Sequence, residues 1–366
     1  MIRTSFLVAT LALLTNVGFA QDDWTVDDFI AETGVREGPV PARELDGWRP
    51  DPTILLRDSL GQAEELARDF PAANIITVQD DAELAASAPT ADVIIGYCAA
   101  EAIGAAPRLV WVQIYSAGAE RCLAVEELHS GKVVLTNMQK MSSPAIGEHA
   151  VAMALSLARG LVRYGKAMPE GEWRRDMTQN PDMFSVSGKT MLVVGLGGIG
   201  TAAARRADAL GMRVIATRNS SREAPAFVDY VGLSDELPEL LGTADIIVNA
   251  LPLTASTAGI FDEAAFAQAK PGAYFINVGR GGTVVTDALV EALESGRLAG
   301  AGLDVTDPEP LPSDHPLWQM SNVIITPHVS WAGADRRLHN LLLRENIRRY
   351  LAGEALLNVV DPERGY

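Results

Sequence analysis

Cysteine is scarce in this chain: Cys98 and Cys122 are the only two in 366 residues. Two thiols at that spacing match no zinc or iron–sulfur motif, so no metal site is expected. Free, partly buried thiols are the plain reading. A bridge is open in an oxidising compartment, because each follows a predicted strand of the same domain. Positive charge is also in deficit. Against 47 Asp and Glu stand 30 Lys and Arg, a formal net charge of −17, which argues against nucleic acid and anionic membranes as partners. In so acidic a chain, a compact group of arginines must serve a local purpose. Internal repeats and low-complexity tracts are missing as well.

What is present is ordinary globular material, 48% hydrophobic and 21% charged, long enough for two cores. The N-terminus is different. Arg3 precedes an apolar run at 5–17, and Gly18-Phe19-Ala20 is a small-x-small cleavage site before Gln21. The run is too short to span a bilayer well. Residues 1–20 therefore read as a signal peptide, giving a periplasmic or secreted protein free of the membrane after cleavage, or a cytoplasmic one if the signal is not used. Residues 21–52 are acidic, carry Pro39, Pro41, Pro50 and Pro52 without a clear period, and read as an arm pinned by Trp24 and Trp48.

From residue 53 strands alternate with helices. Strands are expected at 53–57, 74–78, 91–97 and 109–115, then in a second series at 190–195, 213–217, 244–249, 273–278, 300–304 and 323–326. Such alternation builds parallel βαβ units. The fold class is α/β, with two doubly wound parallel-sheet domains. Residues 53–145 and 333–366 form a flavodoxin-like substrate domain, and residues 146–332 a Rossmann dinucleotide-binding domain. Ser143-Pro144 starts a helix running to 159 or beyond, long enough to bridge the two. A last helix at 334–351, closed by Gly353, crosses back to the first domain.

The run Leu192-Val193-Val194 leads directly into Gly195-Leu196-Gly197-Gly198-Ile199-Gly200, and a helix follows. A glycine loop with strand before and helix after is a dinucleotide site. Gly195 permits the tight turn, Gly197 lets backbone approach a pyrophosphate, and Gly200 allows close helix–strand packing. The amides of Gly198 and Ile199 would face the phosphates at the positive end of the helix. The next strand ends at Arg218, eighteen residues after Gly200 and followed by hydroxyl residues and Arg222. A carboxylate there would bind the ribose hydroxyls of NAD(H) and repel a 2′-phosphate, whereas Arg pairs with that phosphate. NADP(H) is the preferred cofactor, with NAD(H) possible.

Three further residues each follow a predicted strand: Arg280, Glu309 and His328. Strand carboxyl ends are where open α/β sheets bind ligands. Their types fit one reaction, the exchange of a hydride with a 2-oxo or 2-hydroxy acid. Arg280 forks onto the carboxylate. His328 gives a proton to the developing alkoxide, and Glu309 favours and orients the protonated imidazole. Singly each has a bland reading: a loop cap, a solvated turn residue, a satisfied histidine. His129, His149, His315 and His339 stay in that bland class.

From about residue 53 to its end the chain resembles the D-2-hydroxyacid dehydrogenase family. The resemblance rests on 195–200, Asn249-Ala250-Leu251-Pro252-Leu253-Thr254, 277–282, 300–310 and Thr326-Pro327-His328. It implies a substrate loop at Tyr115-Ser116-Ala117-Gly118-Ala119, with Ala117 and Gly118 amides on the carboxylate. It also implies Arg280, Glu309 and His328 as catalytic residues, Asp304 near the nicotinamide amide, and Leu251, Pro252 and Val278 along the dinucleotide. A homodimer formed through the cofactor domains is implied too. Arg218, the leader and the 21–52 arm depart from the family pattern. Trp331 either shapes the pocket or is buried. A non-catalytic NADP(H)-binding sensor or corepressor-like protein is the alternative in another class, distinguished by absence of turnover.

Overall fold

The computed structural model describes residues 25–175, 183–219 and 221–365. The expected signal peptide and Trp24 lie outside the described residues. Strands β1 (Glu37–Pro41) and β14 (Ala355–Leu357) pair with each other. Between them run β2 (Thr53–Leu56), β3 (Asn74–Thr77), β4 (Val93–Ile95), β5 (Trp111–Gln113) and β6 (Val134–Thr136). The second series is β7 (Thr190–Val194), β8 (Arg213–Thr217), β9 (Tyr230–Gly232), β10 (Ile246–Asn249), β11 (Ala273–Asn277), β12 (Leu298–Leu303) and β13 (Val323–Ile325).

Strands β2 to β6 form a five-stranded sheet in the order β3-β2-β4-β5-β6, and β7 to β13 a seven-stranded one in the order β13-β12-β11-β10-β7-β8-β9. Every pairing within both is parallel. The first is the flavodoxin-like order and the second the Rossmann order, whose chain direction reverses between β7 and β10. Side-chain alternation explains the layers. In β7, Met191 and Val193 face one core with the Ser143–Ala158 and Gly198–Ala209 helices, while Leu192 and Val194 face the opposite core. A sheet covered on both faces needs unbroken apolar strands, and β10 and β11 are buried throughout.

The last helix, Arg336–Ala352, packs on the five-stranded sheet through Leu342, Leu343, Ile347 and Tyr350, and it ends on left-handed Gly353. Tyr350 stacks on Trp111 of β5 with ring centroids 5.5 Å apart. Truncating such a buried aromatic costs about 3–5 kcal/mol. The Ser143–Ala158 helix stops where Gly160 turns left-handed at φ 66°, and a second helix begins at Leu161.

The N-terminal segment corrects the reading of an arm without period. Val26–Thr33 is a helix closed by a capping box between Thr25 and Asp28. β1 then pairs antiparallel with β14. Buried Arg349 of the last helix bridges Glu37 at 2.7 Å and Glu345 at 2.6 Å, and Trp48 donates its indole N–H to the Tyr350 carbonyl at 2.9 Å. The plain reading of the cysteines is also corrected: Cys98 and Cys122 are joined as a disulfide, Cα atoms 5.5 Å apart. Each lies beyond one of two adjacent parallel strands, β4 and β5, which brings them to the same end of the sheet.

Candidate active site

The glycine loop sits at the switch point between β7 and β10, and each glycine meets a different demand. Gly195 is left-handed at φ 94°, a conformation that an L side chain resists. A Cβ on Gly200 would stand 2.2 Å from the Gly195 carbonyl oxygen, so helix and turn touch there only because it is absent. A Cβ on Gly197 would meet nothing within 4 Å: that side of the loop is open, as close approach of a pyrophosphate requires. Gly198 and Ile199 begin the helix that follows. These features fit a dinucleotide.

Arg218 directly follows β8, its amide donating to the Gly232 carbonyl at 3.0 Å. Its Nε is buried and finds no partner among the described residues. Arg222 is committed elsewhere: it binds Glu236 at 2.5 Å and lies over the Tyr230 ring. Leu251 and Pro252 follow β10, half-buried beside the loop, with the Leu251 amide on Asn249 at 3.1 Å. Val278 is only 3% exposed with its side chain in the core, so any contact with a cofactor would be through its backbone. Asp304 is likewise buried. Its Oδ1 accepts the Thr326 hydroxyl at 2.7 Å and the Val329 amide at 2.9 Å, and its Oδ2 the Ser330 amide at 3.1 Å. Burial pushes its carboxyl upward, but these bonds outweigh burial and hold it below the usual range. Asp304 therefore builds the loop that carries His328.

On that loop His328 is itself left-handed, φ 55°, with its amide on the Asp304 carbonyl at 2.8 Å. Its Nδ1 meets Glu309 Oε1 at 2.7 Å, leaving Nε2 as the ring atom available to a substrate. Both side chains are part-exposed. Trp331, 56% exposed, is not buried; its indole N–H donates to the His328 carbonyl at 3.1 Å.

Arg280 follows β11, its carbonyl held by the Thr283 hydroxyl at 2.6 Å. Its guanidinium reaches the substrate loop, where a Cβ on Gly118 would stand 2.0 Å from Arg280 Nη2. The loop's carbonyls are turned away. Asn137 donates to the Ala117 carbonyl at 2.7 Å and the Ser116 hydroxyl to the Gly118 carbonyl at 2.8 Å. The amides of Ala117 and Gly118 have no acceptor among the described residues, so donors and the Arg280 fork converge, as an anion requires.

Two contacts were not foreseen. Glu120, at the start of the short helix after the loop, accepts from Arg280 Nε at 2.9 Å. His149 reaches Thr326 at 3.0 Å and through it Asp304. A carboxylate two residues past the loop glycine was the only sequence sign of the first, and nothing marked the second.

Comparison with known proteins agrees with this geometry. Residues 151–330 match the family model of the D-isomer specific 2-hydroxyacid dehydrogenase, NAD binding domain. The chain is 35% identical over 266 residues to a glyoxylate reductase of Pyrococcus furiosus, covering 70% of this chain and 77% of that protein. It is 33% identical over 321 residues to a D-3-phosphoglycerate dehydrogenase of Mycobacterium leprae, covering 86% of this chain but 60% of that longer protein. Among solved structures it is similar to an NADPH-dependent glyoxylate/hydroxypyruvate reductase from Sinorhizobium meliloti in complex with NADP and sulfate. That match has a TM-score of 0.74 and 30% identity, over 86% of this chain and all of that one. A D-isomer specific 2-hydroxyacid dehydrogenase from Xanthobacter autotrophicus Py2 in complex with NADPH and MES gives a TM-score of 0.73 at 30% identity, over 86% of this chain and 99% of that one. The chain belongs to the D-isomer specific 2-hydroxyacid dehydrogenase family.

Proposed function

We propose that the chain reduces small 2-oxo acids to D-2-hydroxy acids, using NADP(H) in preference to NAD(H). The observation that carries the reading is the placement of Arg280 against the Ala117–Gly118 loop, and of the His328–Glu309 pair on the same seven-stranded sheet as Arg280, beyond the carboxyl ends of its strands. Arg280 and the Ala117–Gly118 amides hold the carboxylate. His328, its Nδ1 on Glu309 at 2.7 Å, presents Nε2 to the carbonyl oxygen and gives it a proton. Glu309, on Nδ1, keeps the ring oriented. The dinucleotide, when bound along the glycine loop, supplies the hydride. Gly195, Gly197, Gly198, Ile199 and Gly200 would hold its pyrophosphate, and Leu251, Pro252 and the Val278 backbone would line its path. The buried, unpartnered Nε of Arg218 supports recognition of a 2′-phosphate. The two solved relatives named with NADP or NADPH support the same preference. We also infer export by residues 1–20 and pairing as a homodimer.

The deciding measurement is loss of absorbance at the reduced-nicotinamide band with NADPH or NADH and a panel of 2-oxo acids. Faster oxidation of NADPH is expected, and His328→Ala should lower turnover by about 100- to 10,000-fold with NADPH still bound. Binding of NADPH without turnover of any acid would replace the enzyme by a sensor. N-terminal sequencing of the secreted protein tests the leader: Gln21 is the expected first residue.

A further inference from the structure

Arg280, the proposed carboxylate anchor, is not an open guanidinium. Its Nε edge is covered by Glu120 at 2.9 Å, and one proton of Nη1 goes to the Gly279 carbonyl at 2.8 Å. Among the described residues Nη2 finds no acceptor, and it is this terminal end that lies against the substrate loop. Glu120 also flanks the cradle. A Cβ on Gly118 would stand 2.6 Å from Glu120 Oε2 and 2.0 Å from Arg280 Nη2, so the carboxylate and the free end of the fork lie over the same glycine. The pair is half-exposed, at 28% for Arg280 and 38% for Glu120, and it joins the substrate loop to the cofactor sheet. Arg57, another cation at this end of the five-stranded sheet, is drawn over the Tyr97 ring, 5.3 Å from its centroid.

We propose that Glu120 is a specificity-determining residue, which selects substrates carrying a single negative charge. It orients Arg280 so that one carboxylate binds the terminal end of the fork, and its own charge already offsets that of the anchor. A second anionic group on the substrate would then meet a carboxylate beside the cradle instead of surplus positive charge. Like charges so placed are rejected strongly in a partly desolvated cleft. The inference rests on the 2-oxo acid reductase reading and deepens it: short monoanionic 2-oxo acids are accepted, and dicarboxylic or phosphorylated ones are disfavoured.

The test compares kcat/KM for glyoxylate, with one charge, and for 2-oxoglutarate, with two, using NADPH. The wild type is set beside Glu120→Gln and Glu120→Asp. Substrate size cancels when each ratio is taken relative to wild type. Glu120→Gln should raise the ratio of 2-oxoglutarate to glyoxylate by about tenfold, and Glu120→Asp, which keeps the charge, should leave it near the wild-type value. A ratio unmoved in Glu120→Gln overturns the proposal and leaves the reductase intact. So does an equal shift in both variants, which would mean packing and not charge. Loss of all turnover in Glu120→Gln with NADPH still bound also overturns it, by making Glu120 a requirement for turnover. A wild type that turns over neither acid nor any other of the panel overturns the reductase reading itself, and the selectivity with it.

Discussion

Two arginines four positions apart, Arg218 and Arg222, have been given different work by their surroundings. Arg222 is bound to Glu236 and Tyr230, and its guanidinium, with the Leu233 amide and the Tyr230 hydroxyl, holds the Glu236 carboxyl down to about 2. It is therefore not free to meet a phosphate without breaking that pair. Arg218 has a buried Nε with no partner among the described residues, a group expensive to leave unsatisfied unless a ligand completes it. Replacing Arg218 by Ala should raise KM for NADPH by roughly 10- to 100-fold, the worth of a charge-assisted contact, and change KM for NADH little. Initial-rate kinetics with both cofactors check it; equal losses would assign Arg218 to the fold. Arg218, Arg280, Glu309 and His328 were legible because each follows a strand whose apolar run marks its end. Glu120 was not, since one carboxylate among 47 carries no sign of a partner 160 positions away.

Regular elements were legible in proportion to their length and burial. The five- and six-residue strands β7, β8, β11 and β12 fell within about two residues of expectation, because buried parallel strands read as continuous apolar runs. The three-residue strands β6, β9 and β14, each incompletely buried, passed unmarked, whereas the equally short β4 and β5, buried throughout, stood out within longer apolar runs. β1 was hidden for another reason. It contains Pro39 and Pro41, which suit only an edge, and its partner β14 lies at the far end of the chain. A different exposure marks the segment after the Ser143–Ala158 helix, where Leu161 is 55%, Met168 76% and Trp173 89% exposed. Large apolar side chains this exposed on one segment of the cofactor half suit an interface between two copies. Sedimentation should give the mass of a dimer for the wild type and of a monomer for Trp173→Glu. A wild-type monomer at micromolar concentration would discard the pairing.

At the scale of the whole molecule, the alternation of strands and helices announced two parallel sheets. The docking of the last helix on the first sheet followed from the second series having run to completion before it. What the sequence did not disclose was the single polar contacts that tie distant segments of the chain together, such as the one between Arg280 and Glu120. His339 of the last helix is one of them: its Nε2 lies 3.2 Å from the Ser142 hydroxyl, just before the Ser143–Ala158 helix, and its Nδ1 3.2 Å from the Asp335 carbonyl. Burial holds its pKa below the ordinary histidine value, and nearby Arg336 adds to that, against the opposing pull of Asp335. A folded-state pKa lower than the unfolded one means that the unfolded chain takes up the proton first as pH falls. Stability should therefore decline as pH drops through about 6.5, the unfolded value, and the loss should be complete below the folded pKa. Denaturant unfolding at pH 7.5, 6.5 and 5.5 should show a falling midpoint for the wild type. The same series on His339→Gln, which keeps a polar group near Ser142 but cannot titrate, should show a shallower fall. Equal slopes in the two proteins would remove His339 from the account and place the acid sensitivity elsewhere.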